Sequence, residues 1–337
     1  MPRPIPAAQP GSSRRTVLRA AGLLALPALS GLARAAGPIG GGKPVTLVVS
    51  YPVGGGADLM ARLVAPKLAE ALGQPVIVEN KPGASGQVAA QQVARATPDG
   101  TQLLFDASSY AVNPSLFPKL PYDTDAAFTP LAVVALFPNV LVCTPGFEAK
   151  TVADVIRMAR ASPGRIAYAS SGNGSAQHLA GALFEQRAGV ELLHVPYRGG
   201  GPALNDVMGG QVPLFFANVA SSLGHIQSGK LRALGVTAPL RARALPAVPS
   251  IAESGVKGVE VFEWNPIVAP AGIGADTKTT LVAAIRRALG DPEVVGRIRQ
   301  LSGEVFDNAN ESAVTGFLKA QQAQWGRLVR ERKITAT

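Results

Sequence analysis

The chain has 337 residues, of which 47% are hydrophobic and 5% aromatic, and its formal net charge is +10. Five of the 32 basic residues and none of the acidic ones lie in the first 35 positions, which leaves 27 basic and 22 acidic residues in the remainder. This modest excess, without a run of Lys and Arg interleaved with aromatic residues, argues against nucleic-acid binding and suits small anionic ligands.

Residues 1–35 have the pattern of a secretory signal. The twin arginines Arg14 and Arg15 precede a mildly apolar run at 20–32, and small residues at 33–35 form a cleavage site that ends at Ala35. A membrane anchor is the alternative, but a span needs about 20 apolar residues and this run is shorter. We therefore expect a signal of the twin-arginine type and a periplasmic mature protein.

Cysteine and histidine give no pattern typical of catalysis or metal binding. The single cysteine, Cys143, can form no internal disulfide, and its apolar neighbours predict a buried position. The three histidines, His178, His194 and His225, have no metal-ligand spacing. We expect no metal and no cofactor.

Strands and helices alternate along most of the chain, which predicts α/β layers with largely parallel sheets. The elements predicted for the first unit are strand 45–50, helix 58–72, strand 76–79, a short helix that ends near 95, strand 101–105 and two strands within 131–143, broken near Pro138 and Asn139. A second unit starts near Thr151, and its predicted elements are helix 152–160, strand 166–169, helix 176–188, strand 191–195, a helix that opens at Pro202, and strands 212–217 and 231–236. Strand 264–270, a helix capped by Asp291 and an amphipathic helix over 314–328 then return to the first unit.

Four strand ends lead into glycine-rich turns that open helices, at 54–58, 83–86, 171–175 and 199–202. Such a turn aims free backbone N–H groups and the positive end of a helix dipole at one point, which makes a receptor for an anion. In the first turn Gly54, Gly55 and Gly56 precede Asp58, which we expect to cap the helix and order the loop. A dinucleotide loop is the weaker alternative, because Leu59 stands where its third glycine belongs and no P-loop lysine follows.

Ser175 and His178 form the sharpest local pattern, since both can face the point at which the helix N–H groups converge. The alternative is a capping serine and a packed histidine. A serine hydrolase is less favoured, because no serine lies in the G-x-S-x-G elbow. Ser108 and Ser109 follow a strand end and are candidates for ligand contact, or members of an ordinary polar turn. Arg198 is either a partner for a carboxylate or an exposed charge.

Several segments, in order, resemble the substrate-binding receptors of tripartite tricarboxylate transporters, also called Bug-type receptors. They are YPVGGGAD (51–58), VENKPGASG (78–86), TPDG (97–100), NPSLFPKLPYD (113–123), SSGNGSAQHL (170–179), VPYRGGGPALNDVMGGQV (195–212), GKLRALGVT (229–237) and LPAVPSIAESG (245–255). The resemblance covers nearly all of residues 43–337. It implies a two-lobed α/β periplasmic binding protein fold (type II-like) with two hinge segments and no catalysis. Lobe 1 would comprise 40–143 with 264–337, and lobe 2 would comprise 144–263.

The resemblance also implies where a small organic carboxylate binds, between the first glycine turn and the serine/histidine turn of the second lobe. Carried over to this sequence, the ligand-binding residues are Pro52, Gly54, Gly55, Gly56, Asp58, Ser108, Ser109, Gly174, Ser175, His178 and Asn218. The sequence departs from the family pattern at Val53, at Asp106 and within 271–276. The first two departures leave the ligand open among dicarboxylates, tricarboxylates, amino acids and aromatic acids.

The function that we expect is an extracytoplasmic solute receptor that delivers a carboxylate to the permease subunits of a tripartite tricarboxylate transporter. We expect a monomer that binds no nucleic acid. A sensory receptor of the same fold, which signals to a two-component system, is the first alternative. A serine hydrolase-like enzyme using Ser175 and His178 is a remote one.

Overall fold

The structure is a computed structural model that describes residues 37–336. The predicted signal at 1–35 lies outside the described residues. The first elements alternate as expected, and they are β1 (Val45–Val49), α1 (Gly56–Leu72), β2 (Val76–Asn80), α2 (Gln87–Ala94), β3 (Gln102–Phe105) and α3 (Ser109–Leu116). Strand β1 pairs in parallel with both β2 and β3, so the turns that follow these strands share one edge of the sheet.

The prediction of two strands within 131–143 is wrong, because β4 is one strand, Phe128–Cys143. Proline lacks an N–H donor, which is why Pro138 suggested a break. Instead β4 changes its partner there: it pairs with β9 as far as Pro138 and with β7 from Asn139 onward. One long strand thus joins the two groups of strands.

The second group contains α4 (Val152–Ala161), β5 (Ala167–Ser170), α5 (Ala176–Ala188), β6 (Leu193–Pro196), α6 (Gly200–Met208), β7 (Leu214–Asn218), α7 (Val219–Gln227) and β8 (Arg232–Val236). Strand β5 is parallel to β6 and β7, whereas β7 and β8 run antiparallel to the end of β4. Because these three strands are parallel, the carboxyl ends of β5, β6 and β7 lie at one edge of the sheet. The carboxyl ends of β1, β2 and β3 lie together in the first group for the same reason.

The chain then returns through β9 (Phe262–Pro270), α8 (Ala275–Leu289), α9 (Pro292–Gln300), β10 (Glu304–Val305) and α10 (Glu311–Glu331). Strand β9 lies antiparallel between β3 and β4, and the strand order is β2-β1-β3-β9-β4-β7-β5-β6, with β8 and β10 paired to β4. The expectation of largely parallel sheets therefore holds for the two outer groups and is wrong for the centre.

Successive residues of β1 enter the cores on the two faces of the sheet, since side chains alternate along a strand. Leu47 and Val49 join one apolar cluster, and Val48 joins the other. Helix α10 packs on the second cluster, where Gln321 Oε1 accepts hydrogen bonds from the indoles of Trp264 (3.0 Å) and Trp325 (2.9 Å). Cys143 is buried as predicted.

Five of the ten α-helices among residues 37–336 start at a residue whose side chain caps them. Thr151, Ser175 and Asp291 cap α4, α5 and α9 as predicted. Helix α1 begins two residues earlier than expected, so Asp58 lies in its first turn and does not cap it. Pro202 is the third residue of α6 and not the first. None of the helices among residues 37–336 is long and apolar enough to cross a bilayer.

Candidate functional site

Two adjoining cavities lie where the glycine turns meet, and they share Tyr51 and Ser171. The inner pocket has a volume of about 20 Å³, which is room for about one water molecule. Its lining comprises Tyr51, Gly55, Gly56, Ala57, Ala107, Ser108, Ser171, Ser175, Ala176, Gln177, Gly200, Phe215, Asn218, Ser221 and Glu263. The outer cavity has a volume of about 650 Å³ and is lined by the turns 82–86, 171–173 and 196–198 together with Ser50, Tyr51 and Pro52.

The N-termini of five helices converge on the inner pocket. Its lining includes the N-cap residues Gly55 of α1, Ser108 of α3, Ser175 of α5 and Asn218 of α7, and the first residue of α6, Gly200. Ser175 and Asn218 cap their own helices, while α1, α3 and α6 have no side-chain cap. Because the first N–H groups of a helix have no partner within it, a pocket bordered by helix N-termini has the chemistry that suits an anion.

The structure brings six of the eleven predicted site residues to the cavities. Gly55, Gly56, Ser108, Ser175 and Asn218 line the inner pocket, and Pro52 lines the outer cavity. The other five, which line neither cavity, are Gly54, Asp58, Ser109, Gly174 and His178. Three of these five, Asp58, Ser109 and His178, have side chains that hold the turns in place.

Asp58 organises the first turn from within. Its buried carboxylate accepts hydrogen bonds from the backbone N–H of Gly54 (3.0 Å), from Asn80 Nδ2 (2.9 Å) and from Arg62 Nε (2.9 Å). With both oxygens engaged, Asp58 fixes the loop as the sequence predicted, although it does not cap the helix.

Ser175 and His178 match the alternative of a capping serine and a packed histidine. Ser175 Oγ accepts from the His178 backbone N–H (3.3 Å) and donates to the Gly172 carbonyl (2.7 Å), so it makes no bond to the imidazole. His178 Nδ1 accepts from the Gly174 N–H (3.1 Å), and its ring stacks on His194 at 3.7 Å. Burial, with a smaller effect of His194, lowers the pKa of His178 to about 3. His178 is therefore a neutral imidazole that holds the turn 171–175.

The second glycine turn is strained and touches the third. Gly83, Ala84, Ser85 and Gly86 all have positive φ, at 140°, 45°, 53° and 87°. This region costs about 1–2 kcal/mol for a residue with a Cβ, and such strain concentrates at ligand sites. Ser85 Oγ donates to the Asn173 carbonyl at 2.8 Å, which fixes the two turns to each other beside the outer cavity.

Sequence reasoning missed Glu263 and Gln177. The Glu263 carboxylate is buried in the inner pocket, where it accepts hydrogen bonds from the side-chain amides of Gln177 and Asn218. A Cβ on Gly56 would lie 2.5 Å from Glu263 Oε1, so glycine is required for this approach. Burial raises the pKa of Glu263, and this effect is larger than the lowering of the pKa by the hydrogen bonds from the two amides. The signal in the sequence was an acidic residue at the start of a mostly apolar strand.

Asp106, noted in the sequence as a departure, is a second buried acid beside the pocket. Its Oδ1 accepts from the Ser50 hydroxyl, the Ala107 N–H (2.8 Å) and Ser109 Oγ (3.0 Å), while its Oδ2 has no partner among residues 37–336. Burial raises the pKa of Asp106 to about 6, against these three hydrogen bonds.

Comparison with known proteins assigns the family. A model described as "Tripartite tricarboxylate transporter family receptor" matches residues 60–334, which is more than half of the chain. The chain belongs to this receptor family. It is similar in structure to "periplasmic binding protein BugD", with 35% identity over 87% of this chain and 98% of that one and a TM-score of 0.82. The α/β periplasmic binding protein fold is thereby confirmed, and receptors of this family are solute-binding proteins that are not enzymes.

Two further solved structures that resemble this receptor were determined with small carboxylates. "R. palustris Rpa4515 with adipate" is 33% identical over 87% of this chain and 98% of that one, with a TM-score of 0.83. "MatC (Rpa3494) from Rhodopseudomonas palustris with bound malate" is 30% identical over 85% and 98%, with a TM-score of 0.80. The family and these neighbours are consistent with a periplasmic receptor for carboxylates.

Proposed function

We propose that this protein is a periplasmic receptor that binds a small organic carboxylate in the inner pocket and delivers it to the permease subunits of a tripartite tricarboxylate transporter. The convergence of five helix N-termini on one pocket carries the proposal. Three of them, the N-termini of α1, α3 and α6, have no side-chain cap, so no capping side chain competes with a ligand for their N–H groups. The adipate and the malate found with two structural neighbours support this ligand class.

The ligand-binding residues that we propose act in two ways. Gly55, Gly56, Ser108, Ser175 and Asn218 contact the ligand. Gly54, Asp58, Ser109, Gly174 and His178 hold the turns, and Pro52 borders the outer cavity. A catalytic role for Ser175 is disfavoured because its hydroxyl is bonded to backbone and not to an imidazole.

We further propose that binding requires the turns to separate and close. The inner pocket has room for about one water molecule, which is less than a carboxylate of four carbons occupies. Lobe 1 (40–143 with 264–337) and lobe 2 (144–263) would move about hinges near 140–148 and 260–268. Secretion by cleavage near Ala35 and a monomeric state complete the proposal.

The experiment is a thermal-shift screen of the purified protein against small carboxylates, after unfolding, dialysis and refolding to remove copurified ligand. A ligand that binds only the native state raises the melting temperature. At a ligand concentration of a hundred times Kd it adds about 2.7 kcal/mol to the free energy of unfolding. A positive result with closure in X-ray scattering supports the proposal. If no carboxylate shifts the melting temperature, the proposed function is wrong.

Ser108→Ala and Ser109→Ala are a matched pair for this screen. Ser108 Oγ is buried and has no hydrogen-bond partner among the described residues, whereas Ser109 Oγ donates to Asp106. We expect Ser108→Ala to weaken carboxylate binding without lowering the melting temperature of the free protein. Ser109→Ala should lower that melting temperature, because it removes an internal bond.

A further inference from the structure

Glu263 is a buried acid in the inner pocket that has no basic partner among the described residues. Of the described residues that line the pocket, it alone is acidic or basic, and the residue is only 6% exposed. Water therefore screens it little, and a buried carboxylate is unfavourable unless a positive group pairs with it. The pocket built by helix N-termini thus contains one site of the opposite sign.

The neighbouring amides fix Glu263 as an acceptor. Gln177 Nε2 donates both to Glu263 and to Asn139 Oδ1 (3.3 Å), and Asn139 Nδ2 in turn donates to the Val261 carbonyl (3.3 Å). Asn218 Oδ1 accepts from the Ala220 N–H (2.7 Å), which leaves its Nδ2 for Glu263. Because both amides present N–H groups, the remaining capacity of the Glu263 carboxylate is for another donor.

Two further polar atoms beside the pocket are buried without a hydrogen-bond partner among the described residues. Ser108 Oγ is 1% exposed, lines the pocket and has no partner among the described residues. Asp106 Oδ2, also buried without a partner in that part of the chain, adds a second acidic group behind it. Burial and, after it, the charges of Asp106 and Glu263 raise the pKa of the Tyr51 phenol, so both acids act on this lining residue.

We infer that the ligand carries an ammonium group beside its carboxylate, as amino acids do. Glu263 accepts from the ammonium, and the uncapped N-termini of α1, α3 and α6 bind the carboxylate. A ligand with negative charges alone places one of them near Glu263, and the repulsion weakens binding. An ammonium converts that repulsion into a charge-assisted hydrogen bond. This inference rests on the proposed function and names the class of carboxylate.

Matched series of acids test the inference. Succinate, malate and aspartate differ at one carbon, which carries hydrogen, hydroxyl or ammonium. Propionate, lactate and alanine form a second series; glutarate, 2-hydroxyglutarate and glutamate a third; and phenylpropionate, phenyllactate and phenylalanine a fourth. Calorimetry on the purified, refolded protein should show that, in at least one series, the ammonium member binds about tenfold tighter than both others, the gain of a charge-assisted over a neutral bond.

Glu263→Gln keeps the shape of the side chain and removes its charge. We expect it to weaken the ammonium member about tenfold, and to leave the hydrogen and hydroxyl members as tight as in the wild type or tighter, because the repulsion by the Glu263 charge is gone. Glu260→Gln, an exposed acid three residues earlier, is the matched control and should bind as the wild type does. The comparison within the wild type stands even if the Glu263 variant folds poorly.

The outcomes separate the two proposals. If a hydrogen or hydroxyl member binds as tightly as the ammonium member in every series, the inference is wrong and the carboxylate receptor stands. If Glu263→Gln preserves the preference for ammonium, the inference is also wrong. If no member of the four series binds and the wider carboxylate screen is silent, both proposals fall.

Discussion

The Ser85 hydroxyl donates a 2.8 Å hydrogen bond to the carbonyl of Asn173, which joins two glycine turns 88 residues apart in sequence. Ser85 holds this position with φ at 53°, a conformation that disfavours residues with a Cβ. The chain therefore bears local strain where the proposed lobes touch, as binding sites commonly do.

Two variants of Ser85 can measure the stabilisation by its hydrogen bond separately from the cost of its positive φ. Ser85→Ala should lower the free energy of unfolding by about 0.5–1.5 kcal/mol, the net value of one hydrogen bond. Ser85→Gly loses the same bond but relieves the positive φ, so it should be more stable than Ser85→Ala by about 1 kcal/mol. Urea denaturation of both variants measures this difference. A glycine variant less stable than the alanine variant contradicts the account.

The contact between Gly56 and Glu263 predicts a contrast between adjacent glycines. A Cβ on Gly56 would lie 2.5 Å from Glu263 Oε1 and 2.9 Å from Asn218 Nδ2, whereas one on Gly55 meets only the Pro52 carbonyl at 3.5 Å. Gly56→Ala should therefore destabilise the protein by about 1–3 kcal/mol, as overpacking does. Gly55→Ala is the control and should change stability little. Equal melting temperatures for the two variants would refute this reading.

Local chemistry made part of the fold predictable. The bounds of α5, 176–188, and its cap at Ser175 follow from residues within one turn, and the structure confirms them. The joining of β4 into one strand and the antiparallel centre of the sheet depend on β9, which lies more than 100 residues away. No residue near Pro138 in the sequence indicates that β9 will pair there. A break in the strand at the proline was therefore the natural expectation, and it is wrong.

The site, like the fold, was predictable where it depends on local sequence and not where it depends on distant strand pairing. Glycine turns identified where anion receptors form, and Gly55, Gly56, Ser108, Ser175 and Asn218 do meet at one pocket. Glu263 was not predicted as a site residue because only the return of the chain through β9 brings it close to Gly56 at the N-terminus of α1. His178 was placed in the right turn, but its contact with His194 requires the pairing of β5 with β6.

Asp106 should make stability depend on pH in the acidic range. Its pKa is raised from 3.8 to about 6, so the folded state holds a proton that the unfolded state releases. Stability from this group is complete below pH 3.8 and is lost as the pH rises to about 6, by up to ~3 kcal/mol for about two pKa units. The facing phenols of Tyr51, Tyr110 and Tyr122 stay neutral there, because their pKa values lie above the usual range.

Asp106→Asn tests this dependence, since an amide resembles the protonated acid and its oxygen can keep the three bonds made by Oδ1. The free energy of unfolding of the variant, relative to wild type, should rise by up to ~3 kcal/mol between pH 4 and pH 7. Denaturant titrations at these two pH values give the comparison. A difference that is constant with pH would show that Asp106 titrates normally.

The stacked histidines should act in the opposite direction. Burial lowers the pKa of His178 to about 3 and of His194 to about 4, while both take up protons near pH 6.5 when unfolded. Their contribution to stability is present above pH 6.5 and is lost as the pH falls toward 4, because the unfolded state then binds more protons. In NMR spectra both rings should remain neutral at pH 5.

His194→Gln should reduce the loss of stability between pH 6.5 and pH 4 relative to wild type. A ring that titrates near 6.5 in the folded protein would contradict the burial of the pair.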